Sequence, residues 1–221
     1  MFSVAIDGPA GAGKSTIAKA AAKELGFIYV DTGALYRSIA LACIEMSIPV
    51  DDVSAVSAAL EKISIELAFV DGTQRVILNG KDVSDEIRTE KVSMSASTVS
   101  GIPQVRAYLL ELQRSFAKTQ NVIMDGRDIG TVVLPDAQVK IFLTASAQAR
   151  AQRRTLQLEQ KGEKPDYEKI LEDIIKRDHN DSSRKIAPLR PAEDSIIVDT
   201  TELDPEQSVN RITELIKGRM K

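Results

Sequence analysis

Short apolar runs alternate with stretches of helical periodicity along this chain, and their order points to an α/β fold. Phe2 to Ile6 is a compact apolar run leading to Gly8, the form of a strand buried on both faces of a parallel sheet. Ile17, Ala21 and Leu25 then recur at helical spacing over Ser15 to Leu25, with Gly26 placed to end that helix in a left-handed conformation. Phe27 to Val30 reads as a second strand. Leu35, Ile39, Cys43 and Met46 fall every third or fourth residue and predict an amphipathic helix from Ala34 to Met46, stopped before Pro49.

The middle of the chain changes period. Ile63 to Val70 and Arg75 to Leu78 are β-rich runs joined by Asp71-Gly72-Thr73-Gln74, and Asn79-Gly80 offers a second tight turn, so a small antiparallel meander is expected. Val53 to Arg88 is accordingly read as an insert between helices. Helical pattern returns over Val92 to Val99, breaks at Gly101-Ile102-Pro103, and resumes through Val105, Leu109, Leu112 and Phe116 with Pro103 in the first turn. Asn121 to Met124, Lys140 to Ala145 and Ser195 to Asp199 supply three more strands. Between them lie a basic helix over Ala147 to Gln160 and a helix with Tyr167, Ile170, Leu171, Ile174 and Ile175 on one face. Asp204-Pro205-Glu206-Gln207 is a capping box that opens a last helix docked by Val209, Ile212 and Ile216. The prediction is a five-stranded parallel sheet flanked by helices, with a β-rich insert and no internal repeat.

Composition narrows the chemistry. The 221 residues allow one large core or a core with a small insert. A net charge of −3 argues against a general polyanion binder, so any positive field must be local and no nucleic-acid partner is expected. The single cysteine, Cys43, lies on an apolar helix stripe and reads as core. The apolar start is too short for a signal peptide, and no apolar run approaches the roughly 18 residues of a membrane span, so a reduced, cytoplasmic protein without membrane contact is expected.

The strongest local signal is Gly8-Pro9-Ala10-Gly11-Ala12-Gly13-Lys14-Ser15, a full G-x-x-x-x-G-K-[ST] phosphate loop between a predicted strand and a predicted helix. Glycines let such a loop turn its N–H groups inward around phosphates, and the helix adds its positive end. Lys14 is expected to reach the β- and γ-phosphates of ATP, and the Ser15 hydroxyl to ligate a bridging Mg²⁺; Thr16 completes the nucleotide-binding run. A guanine-reading Asn-Lys-x-Asp motif is absent, which disfavours a small GTPase.

Ligands of open α/β sheets bind beyond the carboxyl ends of the strands. There the chain carries Asp31-Thr32-Gly33-Ala34-Leu35-Tyr36-Arg37 and Asp125-Gly126-Arg127-Asp128-Ile129-Gly130-Thr131. Arg37 and Arg127 suit an acceptor phosphate, since a guanidinium makes paired, charge-assisted bonds; the alternative is ion pairing with Asp31 or Asp128. Asp125 follows an apolar strand as a Walker-B carboxylate would, with Asp128 close enough to leave the metal-linked role open between them. A further cluster runs from Arg150, Arg153 and Arg154 through Gly162 to Arg177 and Arg184, and two helices joined at Lys161 to Pro165 could form a lid over the transferring phosphoryl group. The alternative is a solvated helix face. His179, the one histidine, is expected on the surface or lid.

At these residues the chain resembles bacterial-type cytidylate kinases, a family of P-loop nucleoside monophosphate kinases. The likeness runs through Ile6 to Ser15, Asp31 to Arg37, Asp125 to Val133, Lys140 to Leu143 and Ala187-Pro188-Leu189, essentially the whole length. It implies a single kinase domain over 1–221, with 1–52, 103–146 and 187–221 as core, 53–102 as acceptor-binding insert and 147–186 as lid. It implies transfer of phosphate from ATP to CMP and dCMP with Mg²⁺. A monomer is expected. The likeness also implies that Thr32, Tyr36, Arg37, Ser97, Arg106, Arg127 and Asp128 surround the acceptor, with Arg177 and Arg184 approaching the phosphates from the lid. From the residues alone, a kinase for another small acceptor such as UMP, or a nucleotide-binding switch without turnover, stays open.

Overall fold

The computed structural model describes residues 1–70 and 72–220; Asp71, in the predicted turn, and Lys221 lie outside the described residues. Five strands make the large sheet: β1 (Ser3–Asp7), β2 (Ile28–Asp31), β6 (Val122–Gly126), β7 (Val139–Thr144) and β8 (Ile196–Asp199), in the order β2-β6-β1-β7-β8. β1 runs parallel to β7 from Val4 opposite Val139 to Asp7 opposite Phe142, and β7 runs parallel to β8. A second, antiparallel sheet joins β3 (Ile65–Val70), β4 (Thr73–Leu78) and β5 (Lys81–Asp82). The helices are α1 (Lys14–Leu25), α2 (Thr32–Glu45), α3 (Val53–Ala59), α4 (Glu90–Val99), α5 (Pro103–Thr119), α6 (Ala147–Glu159), α7 (Tyr167–Ser183) and α8 (Pro205–Arg219). Among the described residues no helix is long and apolar enough to cross a membrane.

The chain forms two compact units, one of Met1 with Ile28–Val122 and one of Phe2–Phe27 with the residues from Ile123 onward. The first has a core of Leu35, Ile39, Cys43, Val56, Val76, Ile87, Val99, Val105 and Leu109, all fully or nearly fully buried. It is knit by side chains as well as apolar packing: Tyr108 donates to the Ile63 carbonyl at 2.5 Å, and Gln74 bonds both backbone groups of Asp31. In the second unit every residue of β1 is buried, as expected of a central parallel strand, and Ile123, Met124, Ile141, Leu143, Ile212 and Ile216 are fully buried. Each such side chain contributes about 1.5–3 kcal/mol by leaving water.

The predicted capping chemistry is present at both ends of the chain. Gly26 ends α1 with φ 69°, Pro103 opens α5, and Asp204 with Gln207 closes a reciprocal capping box on α8. Val53–Ala59, inside the predicted insert, is a short helix capped by Asp52. Two readings need correction. β3 starts at Ile65 and not at Ile63, and β4 starts at Thr73, taking Thr73 and Gln74 out of the predicted turn because Val70 pairs directly with Thr73. Ile175 is exposed, whereas Tyr167, Ile170, Leu171 and Ile174 of the same predicted face are half-buried. After β6, Ile129–Val133 forms one π-helical turn.

Candidate functional site

In the second unit the loop from Gly8 to Gly13 runs straight from β1 into α1. Gly8 has φ 149°, and a Cβ there would lie 1.9 Å from the Leu143 carbonyl oxygen, so no other residue fits beside β7. Gly13 is the N-cap of α1 in a left-handed conformation. With no side chain to cap the helix, its first N–H groups are left for an incoming anion.

Lys14 is buried and donates to the Pro9 carbonyl at 2.7 Å, spanning the loop it belongs to. Its ammonium is held down at about pKa 7, first by burial and then by the like charges of Arg127 and Arg177, against the pull of Asp125 and Asp7. That pattern describes a cationic cluster around the phosphate loop. Ser15 donates from Oγ to Asp125 Oδ2 at 2.8 Å. A hydroxyl and a carboxylate are the hard oxygens a magnesium-type cation takes, and among the described residues no group of three or more His, Cys, Asp or Glu offers a protein cage instead. Asp125 therefore stands beside Ser15, where the sequence left the choice between Asp125 and Asp128 open.

Asp128, buried, precedes the π-helical turn, and Arg127 beside it donates from Nε to Asp181 at 2.9 Å. Arg127 thus pairs with a residue of α7, neither Asp31 nor Asp128. Arg184, the C-cap of α7, bonds the Asp181 carbonyl at 3.2 Å and approaches its carboxylate at 3.4 Å. Burial pushes the Asp181 carboxyl up, but Arg127 and Arg184 outweigh it and hold the carboxyl below its ordinary value. One buried aspartate therefore holds two of the arginines expected to meet phosphate.

The other arginines of the expected lid divide. Arg150 is buried and fully engaged: Nε bonds the Ala145 carbonyl at 2.9 Å, Nη1 the loop carbonyl of Ala10 at 3.0 Å, and the fork grips Asp178 at 3.1 and 2.5 Å. Arg153 binds carbonyls of Thr200, Thr201 and Leu203 at the end of β8. These two are internal braces, which corrects their reading as mobile lid charges. Arg154 and His179 are exposed.

In the first unit Asp31 caps α2 by accepting the Ala34 N–H at 3.0 Å and pairs with Arg37 at 2.7 Å. Arg37 Nε is buried and makes no hydrogen bond among the described residues. Thr32, buried, opens α2, and Arg106 on α5 lies 5.5 Å from the centroid of the Tyr36 ring while donating to the Ser100 carbonyl at 3.1 Å. Ser97, half-buried on α4, offers its carbonyl to Ser100. The first unit thus groups Tyr36 with Arg106 and Asp31 with Arg37, while Lys14, Ser15, Arg127, Asp128, Arg177 and Arg184 belong to the second.

Sequence reasoning missed Asp7, Asp178 and Asp181. Their long-range partners, Ile129, Arg150 and Arg127, lie 122, 28 and 54 positions away, beyond any periodic or motif signal; Asp7, fixed one residue before the phosphate loop, and Asp181, three residues before Arg184, had positions that could have drawn notice.

A family model described as cytidylate kinase matches residues 4–218. The chain is 52% identical over 218 residues to a protein of Caldanaerobacter subterraneus subsp. tengcongensis named cytidylate kinase, covering 99% of this chain and 96% of the other. Proteins of the same name from Caldicellulosiruptor saccharolyticus and Lactobacillus johnsonii are 51% and 48% identical, covering 97% and 100% of this chain and 95% and 96% of theirs. Among solved structures, a shikimate kinase from Bacteroides thetaiotaomicron superposes with a TM-score of 0.50 at 16% identity, covering 98% of each chain, a likeness of fold.

Proposed function

The chain belongs to the cytidylate kinase family, and on that premise we propose that it moves the γ-phosphoryl group of ATP onto CMP and dCMP, releasing ADP with CDP or dCDP. The observation that carries this reading to the residues is the cationic cluster of one compact unit, where a complete phosphate loop holds Lys14 beside Arg127 and Arg177. An oxygen of the acceptor phosphate attacks the γ-phosphorus, and the bond from that phosphorus to the β–γ bridging oxygen breaks. No covalent intermediate on the protein is needed, so catalysis is positioning and charge stabilisation.

Gly8, Pro9, Ala10, Gly11, Ala12, Gly13, Lys14, Ser15 and Thr16 take the nucleotide phosphates, with Lys14 leaving the Pro9 carbonyl to meet them. Mg²⁺, when bound, neutralises charge on the β- and γ-oxygens; Ser15 would ligate it and Asp125 orients the Ser15 hydroxyl. Within the first unit, Thr32, Tyr36, Arg37, Ser97 and Arg106 are the acceptor-side residues. Within the second unit, the acceptor-side residues are Arg127 and Asp128. Arg177 and Arg184 stabilise the charge that develops on the transferring group. Residues 1–52, 103–146 and 187–221 act as core, 53–102 as acceptor-binding insert and 147–186 as lid. The enzyme works as a monomer in the cytoplasm.

Phosphorus NMR of a mixture of protein, ATP, CMP and Mg²⁺ tests the reaction: ADP and CDP signals should grow in equal amounts, and a metal chelator should stop both. Release of inorganic phosphate with CMP unchanged would sink the reading.

A further inference from the structure

Asp7 ends β1 one residue before the phosphate loop, and its carboxylate is buried. One oxygen accepts the Ile129 N–H and the other the Gly130 N–H, each at 2.8 Å. These amides open the π-helical turn Ile129–Val133, whose N-cap residue Asp128 makes no capping side-chain bond. A helical turn begins with N–H groups that have no acceptor inside it. Here a carboxylate 122 positions away fills that role. Two bonds to one rigid group fix tilt as well as position, and the fit is close: a Cβ on Gly130 would lie 3.2 Å from Lys140 Cδ and 3.4 Å from Asp7 Oδ2.

A buried carboxylate is an unfavourable choice for simple filling. Burial raises the Asp7 carboxyl to about 6 despite the two amides; Asp128 adds repulsion and Lys14 attraction, while the nearby Lys140 is committed to Asp194 at 2.8 Å. What the arrangement accomplishes is mechanical. Arg127 and Asp128 lie directly before the two tethered amides, and the tether ends on the strand that launches the phosphate loop.

We infer that Asp7 is a positioning residue for the acceptor, its carboxylate holding Arg127 and Asp128 in register with the phosphate loop. The inference rests on the reading of Arg127 and Asp128 as acceptor-side groups. Asp7→Asn keeps the shape but turns an NH₂ group toward an amide N–H, removing one of the two bonds. The expected result is a fall of about tenfold or more in kcat/KM for CMP, carried by KM, with the ATP dissociation constant measured without CMP changing less than about threefold. A merely structural role would weaken ATP and CMP alike, and that outcome overturns the inference. Asp128→Ala is measured beside it. If Asp128→Ala spares CMP use, the acceptor reading fails and the inference with it; if it impairs CMP use while Asp7→Asn does not, the inference alone falls. Should Asp7→Asn not fold, hydrogen exchange in the wild-type protein decides: the Ile129 and Gly130 amides should exchange slowly and more slowly still with CMP bound, and fast or CMP-insensitive exchange would overturn the tether.

Discussion

Lys14 is buried at 2.7 Å from the Pro9 carbonyl, so its charge is already oriented and partly desolvated before any phosphate arrives. Lys14→Ala should lower kcat about a hundredfold or more while the melting temperature holds or rises, because the variant also removes the burial of a charge. Steady-state kinetics beside thermal melting checks this, and an unchanged kcat in folded protein would take the loop out of the mechanism. Asp7 makes a pH prediction of definite sign. Its folded-state carboxyl lies near 6 and above the ordinary 3.8, so the folded form holds the extra proton and that stabilisation is lost as pH rises from about 4 through 6. A gap of about two pH units corresponds to about 3 kcal/mol. Chemical denaturation should therefore show wild-type stability falling over that window relative to Asp7→Asn, and parallel curves would contradict it. Lys14 and Ser15 were legible because a local motif dictates them. Asp7 was not, because its partners are backbone amides that only the tertiary fold brings to it.

The helices of the expected lid show which charges hold elements together and which are available for chemistry. Arg150 ties the loop carbonyl of Ala10 to Asp178 of α7, and breaking such a buried pair from one side typically costs about 3–5 kcal/mol. Arg150→Ala should therefore destabilise by a few kcal/mol in denaturant titrations, whereas Arg154→Ala, on an exposed side chain, should lie within about 0.5 kcal/mol of wild type. Arg184 is different, since it rests on Asp181 at the end of α7. If it moves from there to the reacting phosphate, Arg184→Ala should reduce kcat about a hundredfold or more with little change in ATP affinity, because only interactions stronger in the transition state accelerate chemistry. His179→Ala and Asn180→Ala, both exposed, are the controls; equal damage from them would mean the segment matters through its folding and not through the Arg184 charge. At this scale the long periodic helices and buried strands were readable from spacing. The short helix Val53–Ala59 was not, since its seven residues make barely two turns. Nor was the π-helical turn, whose N–H acceptors come from β1.

For the molecule as a whole, strand-helix order and capping chemistry made the five-stranded sheet legible, and the β-rich meander stood out because it broke the period. Acceptor identity was not legible in spacing. It came through resemblance, and membership of the cytidylate kinase family now disfavours a switch that never turns over an acceptor. Electrostatics explain why the net charge of −3 was a poor guide to local charge: Arg127 and Arg177 bear on Lys14 and, with Arg184, on Asp181, while Asp125 and Asp7 offset the charge at Lys14. Every residue role above depends on transfer of phosphate to a cytidine nucleotide. Initial rates of ADP formation with CMP, dCMP, UMP, AMP, GMP and no acceptor, compared as kcat/KM in one preparation, decide whether it occurs. CMP and dCMP should exceed the purine nucleotides by about a hundredfold or more, with no turnover above background when the acceptor is omitted. Equal rates across the panel, or ADP release that needs no acceptor, would contradict it.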